Sequence, residues 1–99
     1  MTSVKNINGT SQKRYAKPKD GSSSWKEYWE KHNDEGCEFG LCGNMSCYDR
    51  KADVGSQVVK VNSRDQKWYI VPLCSSCNQL SDDEIFKVPD NFLVPVNEP

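Results

Sequence analysis

The chain has 99 residues, of which 35% are hydrophobic and 27% charged, and its formal net charge at pH 7 is −1. This length accommodates one domain. No segment approaches the roughly 20 consecutive apolar residues of a membrane-spanning helix, and no apolar stretch near the N-terminus has the character of a signal peptide. These features argue against a transmembrane protein and predict a cytoplasmic one.

Charge is unevenly distributed along the chain. Residues 1–23 contain five basic residues and one acidic residue (+4), whereas residues 24–99 contain eight basic and thirteen acidic residues (−5). An acidic body repels the phosphate backbone of nucleic acids. We therefore expect a protein partner, with nucleic-acid contacts confined to the basic N-terminal segment.

The N-terminal segment, residues 1–23, is rich in Ser, Asn, Gly and Lys and shows no apolar periodicity. Such a segment buries too little apolar surface to offset the entropy lost when it becomes ordered. The sequence thus predicts a disordered basic tail over residues 1–23 and a folded domain over residues 24–99.

The folded domain is predicted to begin with a helix at Trp25. Ser24 and Glu27 have the spacing of a capping box, which marks a helix N-terminus. Trp25, Tyr28 and Trp29 then fall on one face of that helix. We expect this aromatic face to pack in the core, because base stacking would require it to be exposed.

The rest of the domain is predicted to be mostly strands. An irregular stretch rich in Gly and Cys occupies residues 36–55. "SQVVKVN" (56–62) and "KWYIVPL" (67–73) are rich in β-branched and aromatic residues and flank a turn-like segment, which predicts a β-hairpin. Two short apolar runs, 85–88 and 92–96, are adjacent to prolines and predict short strands. The fold class expected is therefore α+β.

Cysteine content indicates how so small a domain is stabilised. A core of this size gives marginal stability, and metals or disulfides commonly add to it. The number of cysteines is odd and there is no secretion signal, so an intracellular metal site is favoured over disulfides. The five cysteines are Cys37, Cys42, Cys47, Cys74 and Cys77.

The cysteines form two clusters, one before the predicted hairpin and one directly after it. Cys74 and Cys77 are separated by two residues, which allows both sulfurs to face one ion from a tight turn. A thioredoxin-like redox pair would need an open α/β sheet, for which the chain is too short. The first pair stays open on spacing alone: Cys42 pairs with Cys37 or Cys47, and His32 is a further candidate.

A family resemblance favours one of these ligand sets. "SWKEYWEKH", "CYDRKADVGSQVVKVN" and "WYIVPLCSSCN" together resemble a small bacterial and phage family of HNH-endonuclease-like, treble-clef zinc proteins, over about residues 24–80. The resemblance implies one structural zinc ion per chain, bound by Cys42, Cys47, Cys74 and Cys77. A site of four cysteines has no open position at which the metal could activate water.

The same resemblance implies that catalysis is lost. In active HNH enzymes a first-strand histidine is the general base, and Gln57 stands at that place here. A Gln amide does not accept a proton near neutral pH. Asn78 follows the second pair of cysteines, where active enzymes often carry a metal-binding histidine. We expect Asn78 to act in the turn or as a side-chain cap, and we expect no catalytic residues.

Two classes of function follow. The leading hypothesis is a non-catalytic, zinc-stabilised binding module with a degenerate HNH-like core and a protein partner. The alternative is a divergent HNH-type, metal-dependent nuclease or a nucleic-acid-binding protein. The metal ligands of such a nuclease would come from Asp49, Asp53, Asp65 and His32.

Overall fold

The structure is a computed structural model that describes residues 1–7, 24–33, 40–47, 50–61, 67–80 and 84–96. In chain order its elements are strand β1 (Thr2–Asn6), helix α1 (Trp25–His32), strands β2 (Val54–Lys60) and β3 (Trp68–Leu73), short helix α2 (Ser75–Asn78), strand β4 (Phe86–Val88), a 3-10 helix (Asp90–Phe92) and strand β5 (Val94–Pro95). The strands form one antiparallel sheet in the order β4-β1-β2-β3-β5. The predicted α+β class is confirmed.

The predicted hairpin forms the centre of the sheet. β2 and β3 pair antiparallel from Val54↔Leu73 to Val59↔Trp68. Successive residues of a strand point to opposite faces, so β3 contributes Ile70 to one face and its neighbour Val71 to the other. The sheet therefore has a core on both faces, one beneath α1 and one around the cysteines.

Helix α1 begins where the capping box predicts. The Ser24 hydroxyl accepts a hydrogen bond from the Glu27 backbone N–H at 3.2 Å, and the aromatic residues of the helix are buried. Trp29 is fully buried, and its indole Nε1 donates to the Phe92 carbonyl at 2.7 Å. The prediction that this face packs in the core is confirmed. Among the described residues, no helix combines the length and apolar character needed to cross a bilayer.

The close approach of α1 to the sheet depends on Gly55 in β2. A Cβ atom at this position would lie 2.7–2.8 Å from the backbone of Trp25 and Lys26. A side chain here would therefore push the start of the helix away from β2. On this face α1 packs with Ile70 of β3 and Val94 of β5.

The beginning of the chain differs from the predicted disordered tail. β1 pairs with β2 on one side and with β4 on the other, and its Val4 is fully buried. Only Val4 and Asn6 of this strand are buried, so the segment carries almost no hydrophobic pattern. Backbone hydrogen bonding to two neighbours supplies order that composition does not reveal. Residues 8–23 lie outside the described part of the chain.

The end of the chain agrees with the predicted short strands. β4 lies within residues 85–88 and β5 within residues 92–96. Each is the edge of the sheet on its side, and both are only two or three residues long. Short edge strands are typical of proteins that avoid pairing edge to edge.

Candidate metal centre

The first knuckle, residues 40–47, is a loop held against the strands on several sides. Cys42 N–H donates to the Arg50 carbonyl at 2.8 Å, and Ala52 N–H donates to the Gly40 carbonyl at 2.8 Å. These two bonds form an antiparallel β-bridge between Leu41 and Lys51. Gly43 N–H donates to the Pro72 carbonyl of β3 at 2.6 Å. These bonds place Cys42 beside the end of β3.

The tip of the first knuckle is a tight turn that orients the second cysteine. Cys47 N–H donates to the Asn44 carbonyl at 2.8 Å, and Ser46 N–H donates to the Asn44 side-chain Oδ1 at 2.9 Å. Met45 N–H donates to the Lys87 carbonyl of β4 at 2.9 Å. The turn therefore directs the Cys47 side chain back toward the end of β3. The backbone of the turn is hydrogen-bonded to β4 through Met45.

The second knuckle, residues 73–78, is the junction between β3 and α2. Cys74 is the residue preceding α2, and Cys77 lies within this single helical turn. The turn is supported by Asp53, whose Oδ2 accepts from Ser75 N–H at 2.9 Å and from the Ser75 hydroxyl at 3.1 Å. The two-residue spacing thus puts both sulfurs on the side of the junction that faces the first knuckle.

The four cysteines chosen from the sequence come together in space. The Sγ atoms of Cys42, Cys47, Cys74 and Cys77 all lie within 4.8 Å of one another. The Cys47 and Cys74 sulfurs are 3.7 Å apart, and all four residues are free thiols. Tetrahedral zinc with Zn–S bonds of about 2.3 Å spaces its sulfurs by roughly 3.8 Å. The cluster therefore has the ligand type and the dimensions to hold one metal ion such as zinc.

Crowding of the sulfurs perturbs their protonation. Burial raises the pKa of the Cys77 thiol well above its usual value, although a hydrogen bond from Asn44 opposes this effect. Burial acts in the same direction on Cys74, but hydrogen bonds from the other three cysteines, foremost Cys77, together outweigh it and lower the Cys74 pKa. Cys74 and Cys77 are thus not equivalent, because their pKa values are shifted in opposite directions.

The other residues considered as metal ligands are not found in the sulfur cluster among the residues that the structure describes. His32 is exposed at the end of α1, on the sheet face opposite the cysteines, and does not belong to the cluster. Cys37 lies outside the described residues, as do Asp49 and Asp65. Asp53, a candidate ligand of a nuclease metal, instead caps α2 through its carboxylate.

Gln57 lies within the hairpin, and Asn78 lies in the helical turn that follows it. Gln57 lies on β2 opposite Ile70. Asn78 ends α2, and its Oδ1 accepts a hydrogen bond from the Ser56 hydroxyl of β2 at 2.5 Å. The Asn78 side chain therefore connects the second knuckle to the hairpin rather than capping a helix.

The contacts that three polar residues make around the cluster were not predicted from the sequence. Asn6 and Asn44 are buried, and Asp53 is exposed. Asn6 of β1 donates from Nδ2 to the Cys77 carbonyl at 2.9 Å and to the Leu80 carbonyl at 3.0 Å. Only Asn44 has a local signal, because Asn two residues before a Ser is a common pattern for a turn closed by a side chain.

Comparison with protein-family models, curated proteins and solved structures finds no match for the chain.

Proposed function

We propose that this chain is a non-catalytic binding module whose fold is held by one structural zinc ion on Cys42, Cys47, Cys74 and Cys77. The observation that carries the proposal is the convergence of the four sulfur atoms within 4.8 Å. Thiolates are preferred zinc ligands, and four of them fill a tetrahedral site. No position is left for a water molecule, so the metal's role would be structural.

The order of the elements supports the treble-clef part of the proposal. A loop carrying the first two cysteines is followed by the β2–β3 hairpin, and the hairpin leads directly into a helical turn that carries the last two. In this order the hairpin spans the distance in sequence between the two pairs and brings them to one ion. Zinc binding would then fix the position of the first knuckle relative to β3.

The chemistry near the hairpin supports a degenerate rather than an active HNH-like core. Gln57 stands where the family resemblance places the general base, and an amide cannot take up a proton from water at neutral pH. The single histidine of the chain is on the other face of the sheet from the sulfur cluster. The acidic balance of residues 24–99 favours a protein over a nucleic acid as the partner.

Elemental analysis of the purified chain tests the zinc site. We expect one zinc per chain, lost together with folded structure in Cys74→Ser, because the free energy of metal binding is also folding free energy. Ser76→Ala is the matched control, since Ser76 is exposed in the same helical turn. A chain that folds normally in the presence of chelator, or a Cys74→Ser variant with full zinc content, would contradict the proposal.

A second set of assays tests the binding role. Incubation with plasmid DNA and Mg²⁺ or Mn²⁺ should give no cleavage, whereas nicking that His32→Ala abolishes would favour the nuclease alternative. Affinity capture with the zinc-loaded chain, with Cys74→Ser as bait control, should recover a protein that binds again when both partners are purified. Retention of DNA but of no protein would refute the expectation of a protein partner.

A further inference from the structure

Asn44 belongs to the turn of the first knuckle, and its side chain also contacts the second knuckle. Its side chain is 5% exposed. The Oδ1 atom accepts from Ser46 N–H at 2.9 Å, and the Nδ2 atom lies 3.4 Å from the Sγ atom of Cys77. One amide group thus connects the turn of the first knuckle to a sulfur of the second.

The hydrogen bond to Ser46 fixes the orientation of the Asn44 amide. A backbone N–H can only donate, so the atom that faces Ser46 must be the side-chain oxygen. The nitrogen then necessarily faces Cys77. Because an amide N–H donates, the Cys77 sulfur is the acceptor of this contact, which is the role of a thiolate bound to a metal.

We infer that Asn44 is a positioning residue for the metal centre, whose N–H···S bond holds the Cys77 sulfur in place and reduces its electron density when it binds the metal. This inference rests on the proposed zinc site. A hydrogen bond to a charged group in a buried setting is stronger than one between neutral groups. Four thiolates give one zinc a net charge of −2, so a donor at one sulfur relieves part of that excess. Cys77 should therefore be alkylated more slowly than a zinc-bound thiolate that accepts no hydrogen bond.

The chain offers a matched control for this contact. Asn6 is also buried, at 3% exposed, and also bonds to Cys77, but through the backbone carbonyl and not the sulfur. Asn6→Leu and Asn44→Leu are the same substitution beside the same cysteine. Only Asn44→Leu removes a donor from sulfur.

The experiment uses the full chain loaded with Co²⁺ or Zn²⁺. In Asn44→Leu we expect the sulfur-to-cobalt charge-transfer bands to move to longer wavelength, and zinc affinity to fall about 10- to 100-fold, the usual effect of removing a second-sphere partner. Alkylation of Cys77 by iodoacetamide in the zinc-loaded protein should also accelerate. Asn6→Leu should lower the free energy of unfolding but leave the cobalt spectrum the same as that of the wild type.

Asn44→Asp separates the sulfur contact from the turn. It keeps the oxygen that accepts from Ser46 and loses the N–H that faces Cys77. A shifted cobalt spectrum in Asn44→Asp supports the inference, whereas a wild-type spectrum and alkylation rate would show that Asn44 only closes the turn. Identical spectra for Asn44→Leu and Asn6→Leu would also overturn the inference. A wild-type chain that binds neither metal would overturn the proposed function itself.

Discussion

Replacement of Gly43 by alanine should displace the first knuckle from the sheet. An added Cβ would lie 2.8 Å from Val71 Cγ2 and 2.9 Å from the Pro72 carbonyl oxygen, and 3.3 Å from Phe92 Cδ2. The first two distances are shorter than normal Cβ contacts, and the Phe92 distance is tight. The Pro72 atom belongs to the backbone, which cannot rotate away. The same carbonyl accepts the Gly43 N–H bond at 2.6 Å, so relieving the overlap also lengthens that bond.

The expected cost can be worked out from these contacts. Overpacking of a well-packed site costs about 1–3 kcal/mol, and a weakened hydrogen bond adds about 0.5–1.5 kcal/mol. Gly43→Ala should therefore lower the free energy of unfolding by roughly 1.5–4.5 kcal/mol. Because Cys42 precedes Gly43 directly, part of this loss should appear as weaker zinc binding, at about tenfold for every 1.4 kcal/mol.

Gly40→Ala is the matched control, because it changes the other side of Cys42. A Cβ at Gly40 meets nothing within 4 Å, and its φ is not in the left-handed region. At such a position Gly→Ala is expected to be neutral or to stabilise by about 0.4–1 kcal/mol, through the unfolded state. The assay is guanidinium unfolding followed by tryptophan fluorescence at fixed excess zinc, with chelator competition for affinity. Equal unfolding midpoints for the two variants would refute the predicted contact between the knuckle and β3.

Three further predictions concern the rest of the fold. Gly55→Ala should destabilise by about 1–3 kcal/mol, since its Cβ would overlap the backbone at Trp25, and an unchanged melting temperature would contradict the packing of α1 on β2. Trp29→Phe removes the donor to the Phe92 carbonyl and should cost about 1–3 kcal/mol in urea unfolding, and a loss below 0.5 kcal/mol would argue against this buried bond. A strong chelator should abolish the far-UV circular dichroism of the zinc-loaded chain, and added zinc should restore it; a spectrum insensitive to chelator would contradict coupling of metal and fold.

Elements with strong local signals were predictable from the sequence. The capping box located α1 because Ser24 and Glu27 interact within one turn. Two runs rich in β-branched and aromatic residues, on either side of a turn-like segment, located the hairpin. The cysteines of the cluster were identified by spacing and by family resemblance. By contrast, the contact between Asn6 and the Cys77 carbonyl joins residues distant in sequence, and neither residue type predicts it. Asp53 likewise caps a helical turn that starts at Ser75, in another element. Polar contacts of this kind arise from tertiary structure, which local patterns do not encode.

The position of β1 has a consequence for folding kinetics. In the sheet this strand lies between β2 and β4, and Val4 pairs with Lys60 on one side and Phe86 on the other. Both pairings close long loops, whereas the hairpin closes a short one, so we expect the hairpin to form early and β1 to join late. Among the described strands, β4 pairs only with β1. A chain shortened to begin at Ser24 would therefore lose two strands, and completion of the sheet depends on the segment with the weakest sequence signal.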